Sequence, residues 1–176
     1  SQVRQRTVSD VEQGGIQIAQ LLAYEIRHAE RITSPAAASS GVVLVLQTAN
    51  ADANPTVIGV ATGAVIVVEK RTEYQLSDPL VTVTDFRVWN TSPSSAKPST
   101  RITFTLTRKI PLPILPSYSR TFDIAVTAFP DDETEGGTCG GSTCAAPACG
   151  TPHKYYQWSV CESGVCGTTS GSFICP

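Results

Sequence analysis

The sequence contains no methionine, only two histidines and no block of like charges. Its 13 basic and 15 acidic residues are scattered along 176 positions, so no basic patch is present for a nucleic-acid backbone. Without a basic patch, we expect no nucleic-acid partner. No apolar run in the sequence reaches the roughly 18 residues that span a bilayer. Because even an initiating methionine is lacking, we also expect that a further segment precedes Ser1.

Catalytic signatures are lacking as well. The short patterns of nucleophile elbows, zinc proteases, P-loops and dinucleotide-binding turns do not occur in the chain. His28 lies inside a helical pattern and His153 inside a cysteine-rich tail, each without an obvious nucleophile and carboxylate beside it in sequence. We predict a protein that is not an enzyme, and a secreted hydrolase is the last-ranked alternative.

Cysteine is absent from the first 138 residues and then occurs six times. An even number of cysteines in a stretch rich in Gly, Ser and Thr is typical of disulfides formed in an oxidising compartment. The alternative, a structural zinc site, usually has cysteine pairs about two to four residues apart. We predict disulfides, with the pairing left open, and an exported protein. The six cysteines are Cys139, Cys144, Cys149, Cys161, Cys166 and Cys175.

Apolar residues recur at helical spacing from about Val3 to Thr33, a stretch without proline. The pattern ends before Pro35, because proline disfavours helical geometry in the residue that precedes it. We predict one long amphipathic helix over 1–34, with its weakly patterned first turns projecting from the domain. Gly14 and Gly15 in its middle indicate either a flexible joint or a close contact.

After Pro35 the apolar period changes to two. Six segments rich in Val, Ile, Thr and aromatic residues are bounded by turn-forming residues, which predicts strands. Short connections favour antiparallel neighbours, so we predict one antiparallel sheet over 35–130, with one face beneath the helix. A cysteine-rich segment over 131–176 is expected to pack on the same domain. The six segments are 42–48, 56–61, 64–70, 80–91, 101–108 and 120–129.

Three aromatic residues lie between the cysteines of the tail: Tyr155, Tyr156 and Trp158. We interpret them as the private core of a segment that is too small to bury ordinary aliphatic side chains. The alternative is a ligand-binding site in which these rings stack on a host or surface glycan.

The one concentrated acidic cluster consists of Asp131, Asp132, Glu133 and Glu135. We interpret it as a solvated turn, because the order of ligands and glycine in an EF-hand loop is missing. A calcium site is the alternative, since carboxylates this close can supply several oxygen ligands. Otherwise we expect no cofactor.

The order of these elements resembles a known family. A helix containing SDVEQGGIQIAQLLAYEIRHAERITSPAAASSGVVLVLQ is followed by TVTDFRVWNTS, TRITFTLTRK and SRTFDIAVTAF. From about Gln2 to Phe129 the chain is similar to the soluble part of bacterial type IV pilin-like proteins, especially minor pilins and the J-type minor pseudopilins of type II secretion systems. The resemblance implies an α+β, pilin-like fold, with a long N-terminal helix packed on an antiparallel sheet. The disulfide-rich C-terminal segment departs from the pattern of many pilins, which have one disulfide there.

The resemblance also implies a function. Such subunits lose a short basic leader, are methylated at the new N-terminus, and are anchored in the inner membrane by roughly 25 apolar residues before they join a filament. We therefore expect an anchor upstream of Ser1, a periplasmic or cell-surface location, and other pilin or pseudopilin subunits as partners. The expected role is assembly, initiation or tip decoration of the filament, and a surface adhesin is the alternative. The expected subunit interface consists of Val3, Val8, Val11 and Ile18.

Overall fold

The computed structural model describes residues 2–94, 97–108, 117–128, 139–141, 144–150 and 154–176. These residues form one helix and twelve strands. The elements are α1 Gln2–Arg27, β1 Ala29–Ser34, β2 Ser40–Gly41, β3 Val43–Thr48, β4 Thr56–Ala61, β5 Ala64–Glu69, β6 Thr72–Gln75, β7 Thr82–Asn90, β8 Ser99–Arg108, β9 Tyr118–Thr127, β10 Ala148–Cys149, β11 Tyr155–Glu162 and β12 Val165–Ile174.

The strands of the described residues form three antiparallel sheets. The central sheet has the order β1-β3-β4-β5-β6, the second sheet β2-β7-β8-β9 and the C-terminal sheet β10-β11-β12. One helix with three sheets is consistent with the α+β class. The predicted pilin-like architecture, one long helix packed on one sheet, is wrong, because the chain is mainly β and its strands divide among three sheets.

The central sheet is covered on both faces, which explains why its inner strands are apolar without alternation. Strands β3, β4 and β5 each contain four consecutive buried residues. One face contributes Leu44 and Ile58 to a first core, shared with α1 and the second sheet. The other face contributes Val45 and Val57 to a second core, which the C-terminal sheet closes.

Helix α1 ends at Arg27, earlier than the predicted end at residue 34. The residues that follow form the edge strand β1, which pairs with β3 through two register shifts. These irregularities bring both Ala29 and Ile32 to the buried side of the strand. A bulge inserts one extra residue into a strand, so Ala29 and Ile32 are three positions apart instead of two or four. Three positions is also the spacing of residues on one face of a helix.

All six predicted strands are present, as β3, β4, β5, β7, β8 and β9. Between β4 and β5, Thr62 and Gly63 have φ angles of 49° and 75°. Two left-handed residues in succession are typical of the type I′ hairpin turn that the sequence predicts. The prediction missed β11 and β12, although Ser163 and Gly164 connect them with φ angles of 52° and 75°.

Candidate functional site

The exposed side chains of helix α1 between Arg6 and Arg27 are all uncharged. Two of its apolar residues, Ile16 and Tyr24, are 54% and 59% exposed. This surface extends for about four helical turns. Exposed apolar side chains in an uncharged surrounding are typical of a protein contact surface. The exposed residues between Arg6 and Arg27, which we call the outer helix face, are Ser9, Gln13, Ile16, Gln17, Gln20, Leu21 and Tyr24.

The outer helix face lacks acidic groups because the carboxylates of α1 contact neighbouring strands. Asp10 forms an ion pair with Arg108 at the end of β8. Glu12 pairs with Arg120 of β9, and the Tyr118 hydroxyl donates to Glu12 Oε1 over 3.1 Å. These contacts lie at the edge of the interface between α1 and the second sheet, and they oppose rotation of the helix about its own axis.

Glu25 is the third carboxylate of the helix, and it lies against β6. The Tyr74 hydroxyl is 3.1 Å from Glu25 Oε1 and 3.0 Å from Glu69 Oε1, so two carboxylates compete for one donor. Burial raises the pKa of Glu25 above its usual 4.5, and the charge of Glu69 adds to the increase, whereas the Tyr74 hydrogen bond opposes it. Burial and the charge of Glu25 also raise the pKa of Tyr74, which therefore stays a neutral donor.

The opposite side of the helix is anchored in the first core. A Cβ atom added to Gly15 would overlap the ring of Phe122 in β9, so the missing side chain allows the helix and the sheet to approach. At Gly14 an added Cβ would lie 3.6 Å from Leu106 Cδ1, which is ordinary contact. Gly15 thus marks a close contact. The buried residues of the helix are Thr7, Val11, Gly15, Ile18, Leu22 and Ile26.

The four predicted interface residues fall into two groups. Val3 is 37% exposed, in a first turn whose side chains all face solvent, and Val8 is half-buried. Val11 and Ile18 are 0% and 2% exposed, because they pack inside the chain's own core. The last two therefore cannot contact another subunit unless this core opens, and the prediction is corrected at those positions. The prediction missed Ile16, Leu21 and Tyr24, whose signal is that the residues exposed with them between Arg6 and Arg27 are only serine and glutamine.

Family models, curated proteins and solved structures include no match to this chain. In the part of the chain that the structure describes, no helix is both long enough and apolar enough to cross a membrane.

The predicted disulfides are confirmed, since all six cysteines are paired. Cys161 and Cys166 lie directly opposite each other on β11 and β12, and they bond to Cys139 and Cys144, respectively. The third bridge joins Cys149 of β10 to Cys175, just beyond β12. Three sulfur atoms lie within 4.8 Å of one another because two bridges are neighbours. Bonded sulfurs are not the thiolates that zinc requires.

The aromatic residues of the tail do not form a private core. Trp158 is 3% exposed and packs in the second core with Phe173 and with residues of the central sheet. Its indole N–H has no hydrogen-bond partner within the described residues. Tyr156 is partly buried against the same core, and Tyr155 is 38% exposed. The predicted private core is corrected to a docking contact between two sheets, and Trp158 is not accessible to a glycan.

Several predicted residues lie outside the described ones. These are the acidic cluster of Asp131, Asp132, Glu133 and Glu135, and also His153. The remaining histidine, His28, is exposed at the end of α1, where its Nδ1 donates to the Tyr24 carbonyl over 2.7 Å. Its ring centroid lies 4.3 Å from that of Tyr24. These contacts close the helix end.

Proposed function

We propose that this chain is a non-enzymatic structural subunit that assembles with other subunits through the outer helix face. The observation that carries the proposal is the exposure of Ile16, Leu21 and Tyr24 on a face whose other exposed residues between Arg6 and Arg27 are only serine and glutamine. Full burial of a large apolar side chain contributes about 1.5–3 kcal/mol, so three partly exposed ones can stabilise a contact by several kcal/mol. A partner helix would meet glutamines instead of charges, so little charge desolvation opposes the contact.

The assembly that we propose is a filament of the type IV pilus or type II pseudopilus class. Its support is the resemblance in sequence described above, together with an exposed first helical turn next to the outer helix face. Three disulfides suit an oxidising environment outside the cytoplasm. The proposal includes other pilin or pseudopilin subunits as partners and an inner-membrane anchor before assembly. It does not rest on a pilin-like fold.

The adhesin alternative has less support. Of its three proposed stacking residues, Trp158 is enclosed between two sheets and Tyr156 is partly buried. Tyr155 alone offers an exposed ring, and the Lys154 ammonium nitrogen lies 5.2 Å from the centre of that ring. One accessible tyrosine is a small platform for a glycan, so we propose assembly instead.

The proposal is tested by placing a charge on the outer helix face. We expect Ile16→Lys to reduce at least tenfold the amount of this subunit that co-purifies with its partner subunits from cells that make the complete precursor. The matched control is Ala125→Lys, because Ala125 is exposed on the side of β9 that faces away from the core. Equal co-purification of the two variants would contradict the proposal.

A further inference from the structure

A groove of about 290 Å³ opens between β7 of the second sheet and the end of β12. Its walls include Val42, Val60, Phe86 and Ile174, and its one acidic side chain is Asp85. The volume is that of about ten water molecules in the liquid. Small-molecule sites are typically concave and mainly apolar, with a few polar groups that fix orientation. The composition of this groove matches that description.

Asp85 reaches the groove because β7 is irregular at this point. Thr84 pairs with Thr105 and Arg87 pairs with Thr103, so β7 has one residue more than β8 between these pairs. Asp85 lies in the irregularity with a φ of 53°, a left-handed conformation that few residues other than glycine adopt. Bulges of this kind change the direction of a side chain, and strained backbone of this kind occurs often at binding sites.

The carboxylate of Asp85 has no cationic partner within the described residues. The ion pairs found there are Arg71–Glu162, Arg101–Asp123, Arg108–Asp10 and Arg120–Glu12. Asp85 is exposed, whereas Phe86 beside it is 6% exposed and closes the apolar wall. Ile174, at 61% exposed, stands on the opposite rim. An apolar wall and an unpaired negative charge therefore lie within one small concavity.

We propose that this groove binds a small organic cation, an amine carried on a short apolar chain or ring. The ammonium group would pair with Asp85, and the apolar part would cover Phe86 and Ile174. A neutral ligand of the same shape would gain only the apolar contacts, and an anionic one would be repelled by Asp85. None of the residues lining the groove belongs to the outer helix face, so this inference does not depend on the proposed assembly.

The test compares three probes of similar size: phenethylamine, 2-phenylethanol and phenylacetate. Each is titrated into the uniformly ¹⁵N-labelled chain at one low ionic strength, because salt screens a surface charge. We expect phenethylamine to shift the amide signals of Val42, Phe86 and Ile174 and to bind about tenfold more tightly than 2-phenylethanol. Phenylacetate should bind most weakly. The absence of shifts with phenethylamine, or equal affinity for the alcohol and the amine, would overturn the proposal.

Two variants of the groove separate the contribution of the Asp85 charge to the affinity from that of the apolar wall. Asp85→Asn removes the charge, and asparagine tolerates the same backbone conformation, so phenethylamine should bind about tenfold more weakly and no better than 2-phenylethanol. Asp52→Asn, which removes an exposed carboxylate elsewhere, should leave the affinity unchanged. Ile174→Ala at the rim should weaken both probes, and it provides a second test that does not depend on how Asp85→Asn folds. Unchanged affinity for phenethylamine in either groove variant would count against the site.

Discussion

Gly14 and Gly15 are adjacent in α1, but only Gly15 lies too close to the sheet to accept a side chain. Alanine substitutions at the two positions should therefore change the stability in opposite directions. Gly15→Ala would force the Phe122 ring away from the helix, so we expect unfolding to require about 1–3 kcal/mol less than in the parent chain. Gly14→Ala meets Leu106 at an ordinary distance, so it should stabilise by up to about 1 kcal/mol through helix propensity. Chemical denaturation of both variants provides the measurement. A Gly15→Ala variant as stable as Gly14→Ala would contradict the close contact.

Glu25 gives the stability a pH dependence of known sign. Its pKa is raised in the folded chain, so the folded state binds the proton more tightly than the unfolded state does. The free energy of unfolding should therefore fall as pH rises from about 4.5, the usual value, through the raised one, and the loss should persist at neutral pH. Glu25→Gln cannot ionise, so it should match the parent below pH 4.5 and exceed it in stability at neutral pH.

The measurement for Glu25 is a series of denaturation curves from acid to neutral pH, for the parent and for Glu25→Gln. Asp52→Asn is the control, because it also removes one carboxylate, on an exposed loop. The difference between the parent and Glu25→Gln should grow with pH, whereas the difference between the parent and Asp52→Asn should stay small. A difference that shrinks as pH rises would show that the sign is wrong.

The C-terminal sheet is held to the central sheet by side chains as well as by disulfides. We expect Trp158→Ala to lower the free energy of unfolding by about 3–5 kcal/mol, because it empties the second core at its largest residue. Tyr155→Ala, three positions earlier on the same strand, should lower it by no more than about 1 kcal/mol, since Tyr155 is 38% exposed and lies outside the second core. Similar losses in the two variants, measured by denaturation with the disulfides intact, would contradict the docking contact.

At the scale of elements, local patterns predicted strands well where one face is buried and the other polar. In β8, Ile102, Phe104 and Leu106 alternate with Thr103 and Thr105, and this pattern correctly predicts the strand. In β1 a bulge replaces the alternation by a spacing of three, which predicts helix instead of strand. In β11 and β12 the cysteines and glycines predict disulfides and turns, whereas the alternation of Tyr156, Trp158 and Val160 in β11 is typical of a strand. Period-two signals fail where bulges interrupt them.

At the scale of the whole molecule, the prediction of one sheet is wrong, because the described strands form three sheets. The continuous apolar runs of β3 to β5 are a signal of burial on both faces, and each such sheet needs two covering layers. The packing of the sheets on α1 also determines which apolar helix residues are available for contact with another subunit. Val11 and Ile16 are both apolar helix residues, and only the position of the sheets shows that the first is internal and the second exposed. The sequence does not predict that Asp85 lines the groove, because a register shift between β7 and β8 places it there.

The outer helix face is the central claim, and cysteine cross-linking tests it most directly. Since all six native cysteines are in disulfides, an introduced cysteine would be the chain's one free thiol. We expect Gln20→Cys, labelled with a thiol-reactive photo-cross-linker in an assembly with the proposed partner subunits, to form an intermolecular cross-link to a neighbouring subunit when it is irradiated. Ala125→Cys, on the exposed side of β9 away from the core, should form none. Cross-linking of Ala125→Cys but not of Gln20→Cys would contradict the account.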